Sequence, residues 1–223
     1  MNLTYEQLEK TMLTYRDLQK VPVRENHEPL VALNASQIPW KYREPFTDMK
    51  DALGNVMKVR TSVASRLVEA QRILQDNNSA LSLCVCYGYR SPAIQTQRFL
   101  AVLKQISDIF YDNPYELYEQ VHRRVAVPTV AGHPAGAAVD ITIQDSTKTD
   151  LDFGSPMYDY RTKKFYTFSP DISASQKAVR SLLRKVMMDA GFAPFDGEWW
   201  HFSYGDREWA KYYDKPFALY NQL

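Results

Sequence analysis

AGHPAGAAVDITIQ, residues 131–144, changes character at its midpoint. Small residues, a proline and two glycines make up its first half. Such a loop lets a bulky group approach the backbone closely. Its second half is an apolar run that predicts a buried strand over 137–144. His133 stands in the loop and Asp140 inside the run. A carboxylate within a buried strand is costly unless it is paired or ligates a metal. Outward from this stretch, ALSLCVCY at 80–87 predicts a second buried strand, and EWWHFSY at 198–204 alternates as a third. The order is helices, strand, helices, strand, loop, helix, strand. It predicts an α+β fold in a single domain, with a small, largely antiparallel sheet and helices packed against one face.

The helical segments fill the intervals. Residues 4–18 carry a helical pattern opened by Thr4 with Gln7 three on, a capping-box spacing. Residues 20–48 hold Pro22, Pro29, Pro39 and Pro45 and are expected to wrap the surface as extended segments, making residues 1–48 an N-terminal arm. A long helix is expected over 49–76, with Val63, Leu67, Ala70, Ile73 and Leu74 on one face and Gly54 as a potential interruption. Ser91 and Pro92 open another helix, expected to run to about Phe110, and a shorter one follows Pro114. Residues 145–170 are turn-rich and aromatic, and 173–190 form an amphipathic helix stopped by Gly191.

The 223 residues are 45% hydrophobic, enough for one sizeable core. With 27 Lys plus Arg against 26 Asp plus Glu, no charge excess points to nucleic acid or an anionic membrane as partner. No apolar run approaches the ~20 residues that cross a bilayer. The N-terminus MNLTYEQLEKTML lacks the basic-then-apolar pattern of a secretory leader, so the expected location is cytoplasmic, or periplasmic if a leader has been removed. Cys84 and Cys86, two apart on one predicted strand, are expected to be small core residues, since their Cα atoms lie roughly 7 Å apart and are poorly oriented for a disulfide.

Of the four histidines, His122 beside two arginines is expected on a solvated helix face and His27 in a loop. His133, Asp140 and His201 together would make a two-nitrogen, one-oxygen set, the kind that catalytic zinc takes while keeping one position for water. Glu198 is then the natural general base. By spacing alone, a buried His–Asp pair is an equal alternative. Residues i and i+3 of an ideal strand face opposite ways. Glu198 and His201 therefore share a site only if a bend lies between them or Glu198 precedes the strand, and Gly197 favours an irregular entry. Arg90, directly after one strand and before a helix, can aim a fixed fork of donors into a cleft and stabilise an oxyanion.

These pieces in this order resemble the zinc D,D-peptidase family that includes VanX-type D-alanyl-D-alanine dipeptidases and VanY-type D,D-carboxypeptidases. The matching stretches are GYRSP around Arg90, HPAGAAVD from His133 to Asp140, and EWWHF from Glu198 to Phe202, with EWWH favouring the dipeptidase branch. LDFGSPMYD at 151–159 resembles a further dipeptidase segment. The resemblance implies a hedgehog/D,D-peptidase-like fold and one zinc ion held by His133, Asp140 and His201. It also implies Glu198 as catalytic base and Arg90 as stabiliser of the carbonyl oxygen. Allowing one extra residue, it implies Asp159 as the acid that binds the substrate amine. The family's dipeptidases carry hydroxyl residues where this chain has Ala131, Pro134 and Ala137. The first helps hold the substrate's terminal carboxylate, and losing such a donor costs about 1–3 kcal/mol of binding.

The function so implied is hydrolysis of the small dipeptide D-Ala-D-Ala in a closed pocket, walled by the aromatic loop at 153–168 and part of the arm, with Trp199 and Trp200 alternating between core and pocket. Two alternatives are a D,D- or L,D-carboxypeptidase acting on cell-wall stem peptides and a catalytically silent zinc-binding interaction domain. The presence of both Glu198 and Arg90 argues against the silent domain.

Overall fold

The computed structural model describes residues 3–109 and 112–223. The arm carries two short helices, α1 (Tyr5–Thr11) and α2 (Tyr15–Leu18), and a strand β1 (Leu30–Ala32). Then come α3 (Asp48–Leu53), β2 (Lys58–Arg60), α4 (Thr61–Asn77), β3 (Ser82–Tyr87), α5 (Pro92–Ile106) and α6 (Pro114–His122). The C-terminal half supplies β4 (Ala138–Gln144), α7 (Ala174–Asp189), β5 (Ala193–Pro194), β6 (His201–Ser203) and α8 (Arg207–Tyr212). Among the described residues no helix is long and apolar enough to cross a membrane.

Four strands form one sheet in the order β3-β4-β6-β5, every neighbour antiparallel. β4 lies inside this sheet and is buried along its whole length. Its alternation sorts the two faces. Val139, Ile141 and Ile143 join Leu83 and Val85 of β3, Val63, Leu67 and Leu74 of α4, and Leu183 and Met187 of α7 in the main core. Each such side chain contributes about 1.5–3 kcal/mol by leaving water. Asp140 is on the opposite face. β3 keeps regular register to Val85↔Ile141 and then slips, so that Tyr87 stands opposite Asp140. A one-residue slip reverses a strand's facing, and beyond it the Tyr87 ring packs edge-on against His133 at 5.4 Å.

The arm is built into the body. Leu8, Leu33, Ile38 and Tyr42 are buried in the main core, while Leu18 joins Phe99, Ile106, Val121, Val127 and Val130 in a second cluster. β1 pairs with β2 in a separate two-stranded sheet. The expected long helix over 49–76 is therefore three elements. Gly54, at φ 74° and ψ −167°, leaves the helical region and ends α3, and residues 58–60 are drawn into pairing before α4 begins. The helix expected over 4–18 is two, because Thr14 opens a second capping box with Asp17. α5 ends at Ile106; its expected end at Phe110 lies outside the described residues. Cys84 and Cys86 are buried free thiols, as expected.

His122 corrects its expectation. It is buried, and its Nδ1 accepts a hydrogen bond from the Val127 amide at 3.1 Å. The two neighbouring arginines suggested a solvated face, but α2 and the segment after α6 cover the histidine edge of that helix.

Candidate active site

His133 opens a short 3-10 turn, 133–135, closed by Gly136 in the left-handed region at φ 68°. A Cβ on Gly136 would meet only the tip of the Leu30 side chain, so the turn needs glycine chiefly for its backbone angle. Buried Arg60 braces this turn from behind, donating to Ala135 O at 2.8 Å and to Asn221 O at 3.2 Å. His133 Nδ1 donates to Gly88 O at 2.7 Å, since a carbonyl only accepts. That bond fixes the tautomer and aims Nε2 at Asp140, whose Oδ1 is 3.4 Å away.

β4 and β6 supply the second contact. Asp140 and His201 are direct cross-strand partners, so their side chains share a face. His201 Nδ1 lies 3.2 Å from Asp140 Oδ1. One ligand atom from each of His133, Asp140 and His201 falls within 4.8 Å of the others.

The strand expected over 198–204 is confined to His201–Ser203. Residues 195–200 are the connection between β5 and β6. The Glu198 amide donates to Phe195 O at 2.9 Å, and the His201 amide to Glu198 O at 3.2 Å. Glu198 thus precedes the strand, which removes the objection that i and i+3 face apart. Its carboxylate lines the same pocket as His133, Asp140, His201 and Arg90. Arg90 is buried, lies over the Tyr87 ring at 4.6 Å and donates through Nη1 to Gln95 Oε1 at 2.7 Å. Its Nε has no hydrogen-bond partner among the described residues.

Sequence reasoning missed several residues here. Glu208, on α8, is buried with Oε2 3.8 Å from His201 Nε2. Tyr158 donates to Asp140 Oδ2 at 3.0 Å, and Tyr160 to Glu198 Oε1 at 2.6 Å. Asp159, between the two tyrosines, does not line this pocket; its carboxylate pairs with Arg161 at 2.7 Å. The structure thus brings together five of the six residues singled out and leaves Asp159 outside. Trp199 and Trp200 do not alternate as expected. Both are buried in the core, Trp199 stacked on Phe153 at 3.9 Å and Trp200 edge-on to Tyr158 and Tyr160.

The electrostatics fit a cation. Burial pushes His133 down to about 4, against the pull of Asp140, so its imidazole is neutral and able to ligate. Burial alone would lower His201, but its hydrogen bond to Asp140 and the charge of Glu208 raise it to about 9. Burial works to raise Asp140 as well, yet His133 and then His201 hold it well below the ordinary carboxylate range. Glu198 is pushed up to about 7 and Glu208 to about 8, both chiefly by burial. Three carboxylates thus converge on two imidazoles and one guanidinium. A divalent cation on the His–Asp–His set would take the place of the proton that His201 otherwise holds, beside an ionised Asp140 and a neutral His133, and the Glu208 carboxylate faces the nitrogen of His201 turned away from Asp140.

A family model described as D-ala-D-ala dipeptidase matches residues 35–222. A D-alanyl-D-alanine dipeptidase of Synechocystis sp. is 28% identical over 222 residues, covering 87% of this chain and 89% of that protein. One of Escherichia coli is 31% identical over 78 residues, covering 35% of this chain and 40% of that protein. Among solved structures, the LdcB LD-carboxypeptidase aligns at TM-score 0.47 and 17% identity, covering 85% of this chain and 76% of its own. The vancomycin-resistance D,D-pentapeptidase VanY, solved with Zn(II), aligns at TM-score 0.43 and 16% identity, covering 91% and 96%. With the family match extending across nearly the whole chain and containing every residue of the cluster, the protein belongs to the D-Ala-D-Ala dipeptidase family of peptidases.

Proposed function

We propose that the protein hydrolyses the dipeptide D-Ala-D-Ala to two D-alanines with one zinc ion held by His133, Asp140 and His201. The observation that carries this reading is the convergence of that donor set, Glu198 and Arg90 on one pocket in a chain of this family. Zinc bound there supplies a Lewis acid that polarises a carbonyl and acidifies water. Glu198 takes the proton of the water that attacks the carbonyl carbon. Burial favours the protonated form of Glu198, which helps it keep the proton it has taken until the amine leaves. As the C–N bond breaks, Glu198 returns that proton to the leaving amine. Arg90 faces the pocket with a guanidinium already oriented by Gln95 and Tyr87, so it stabilises the developing oxyanion without reorganising.

The test is release of alanine from free D-Ala-D-Ala, free L-Ala-L-Ala and an acylated D-Ala-D-Ala peptide by zinc-loaded protein. Cleavage of the free D,D-dipeptide alone supports the reading. Cleavage of the acylated peptide replaces it with a carboxypeptidase. Zinc binding with silence on all three overturns it.

A further inference from the structure

We propose that Tyr158 and Tyr160 are positioning residues that decide which oxygen each site carboxylate offers to the reaction, Tyr158 by engaging Asp140 Oδ2 and Tyr160 by engaging Glu198 Oε1. The proposal rests on the site assignment above. A carboxylate with both oxygens free can grip a cation through one or both. With Oδ2 taken by the Tyr158 hydroxyl at 3.0 Å, Asp140 turns Oδ1 alone toward His133 Nε2 and His201 Nδ1. The Tyr160 bond, at 2.6 Å, has the length of a charge-assisted O–H···O⁻ contact. It leaves Glu198 Oε2 with no protein partner among the described residues, as a base facing water requires.

The loop is shaped for this delivery. Tyr158 has φ 63°. A bulky residue in the left-handed region is uncommon and persists only where its surroundings over-determine it. Phe46 packs edge-on against its ring at 4.5 Å and Trp200 at 5.5 Å. Tyr160 is boxed by Phe165 at 5.1 Å and Trp200 at 5.9 Å. The two tyrosines line the pocket, whereas Asp159 between them pairs outward with Arg161. The segment thus presents two phenols, not an acid, to the site.

Tyr158→Phe and Tyr160→Phe each remove one oxygen. Three readouts separate their roles: zinc affinity by chelator competition, the visible absorption of the cobalt-substituted protein, and kcat and KM on D-Ala-D-Ala. Tyr158→Phe is expected to weaken zinc by about 10–100-fold and to alter the cobalt bands as Asp140, no longer held through Oδ2, loses its fixed orientation. Tyr160→Phe is expected to leave affinity and bands unchanged while kcat falls about 10-fold or more at constant KM. Wild-type affinity and bands in Tyr158→Phe, or wild-type kcat in Tyr160→Phe, overturn the proposal. If a variant does not fold, a crystal structure of the zinc-loaded wild type decides: one Asp140 oxygen on the metal with the Tyr158 bond retained supports it, and two overturn it. A wild-type protein that binds no zinc or releases no alanine defeats the site assignment itself. One that does both while the variants match it defeats only the tyrosine proposal.

Discussion

Replacing His122 with asparagine removes a proton-binding group from the interior while keeping an oxygen close to where Nδ1 accepts from the Val127 amide. Burial holds the His122 imidazole at about 4 in the folded protein, against 6.5 when exposed. Above pH 6.5 both states are neutral and the residue adds no pH dependence. Between 6.5 and about 4 the unfolded chain binds a proton that the folded protein does not, so stability falls as pH falls. Below about 4 both are protonated and the loss is complete. The interval of about 2.5 pH units, at 1.36 kcal/mol each, sets the full loss at about 3 kcal/mol. The assay is urea unfolding of wild type and His122→Asn, both metal-free, at pH 7.5, 6.5, 5.5 and 4.5. The variant starts about 1–3 kcal/mol less stable at pH 7.5, through lost packing beside Tyr15. The gap then narrows or reverses by pH 4.5. A gap that stays constant across the series refutes the reasoning, because His122 would then titrate alike in both states.

Glu198→Gln should keep fold and zinc content and lower kcat about 10²–10⁴-fold, measured as D-alanine release at matched zinc loading. In Gly132→Ala the new Cβ would stand 2.1 Å from Asp206 Oδ2, an atom of a buried carboxylate tied by its other oxygen to Ser203 and the Trp209 amide at 2.8 Å each. The His133 loop must shift, costing about 1–3 kcal/mol by urea unfolding and weakening zinc binding in a chelator competition. Arg60→Met strands the buried Ala135 carbonyl and removes the contact to the Asn221 carbonyl, and a loss of about 1–3 kcal/mol is expected in the same unfolding assay.

The core of the fold was legible where local pattern and tertiary role coincide. The β4 run alternates apolar residues with Asp140 because one face meets helices and the other meets the site. The strand at 80–87 and the helix at 173–190 carried equally local signals. The segment before α4 did not. The periodic positions from Val63 to Leu74 all lie within α4, and Gly54 and the pairing of β2 with distant β1 set the preceding residues apart from it. His122 was misjudged because its covering comes from α2, about a hundred residues away in sequence. For the candidate site, spacing and the family pattern singled out His133, Asp140, Glu198, His201 and Arg90, which the fold brings to one pocket. The tyrosines escaped notice because their partners are 18 and 38 residues distant and only the folded loop reveals them. The same loop turned Asp159, carried over from the family pattern, away from the pocket.

The most direct test of the central claim is a zinc titration of chelator-stripped protein, followed as D-alanine released from D-Ala-D-Ala by wild type and by His133→Ala. Activity that rises in proportion to zinc, levels off at one equivalent, and is lost in the variant at the same loading is the predicted result. Hydrolysis that survives stripping, or that returns equally in His133→Ala, would contradict the account.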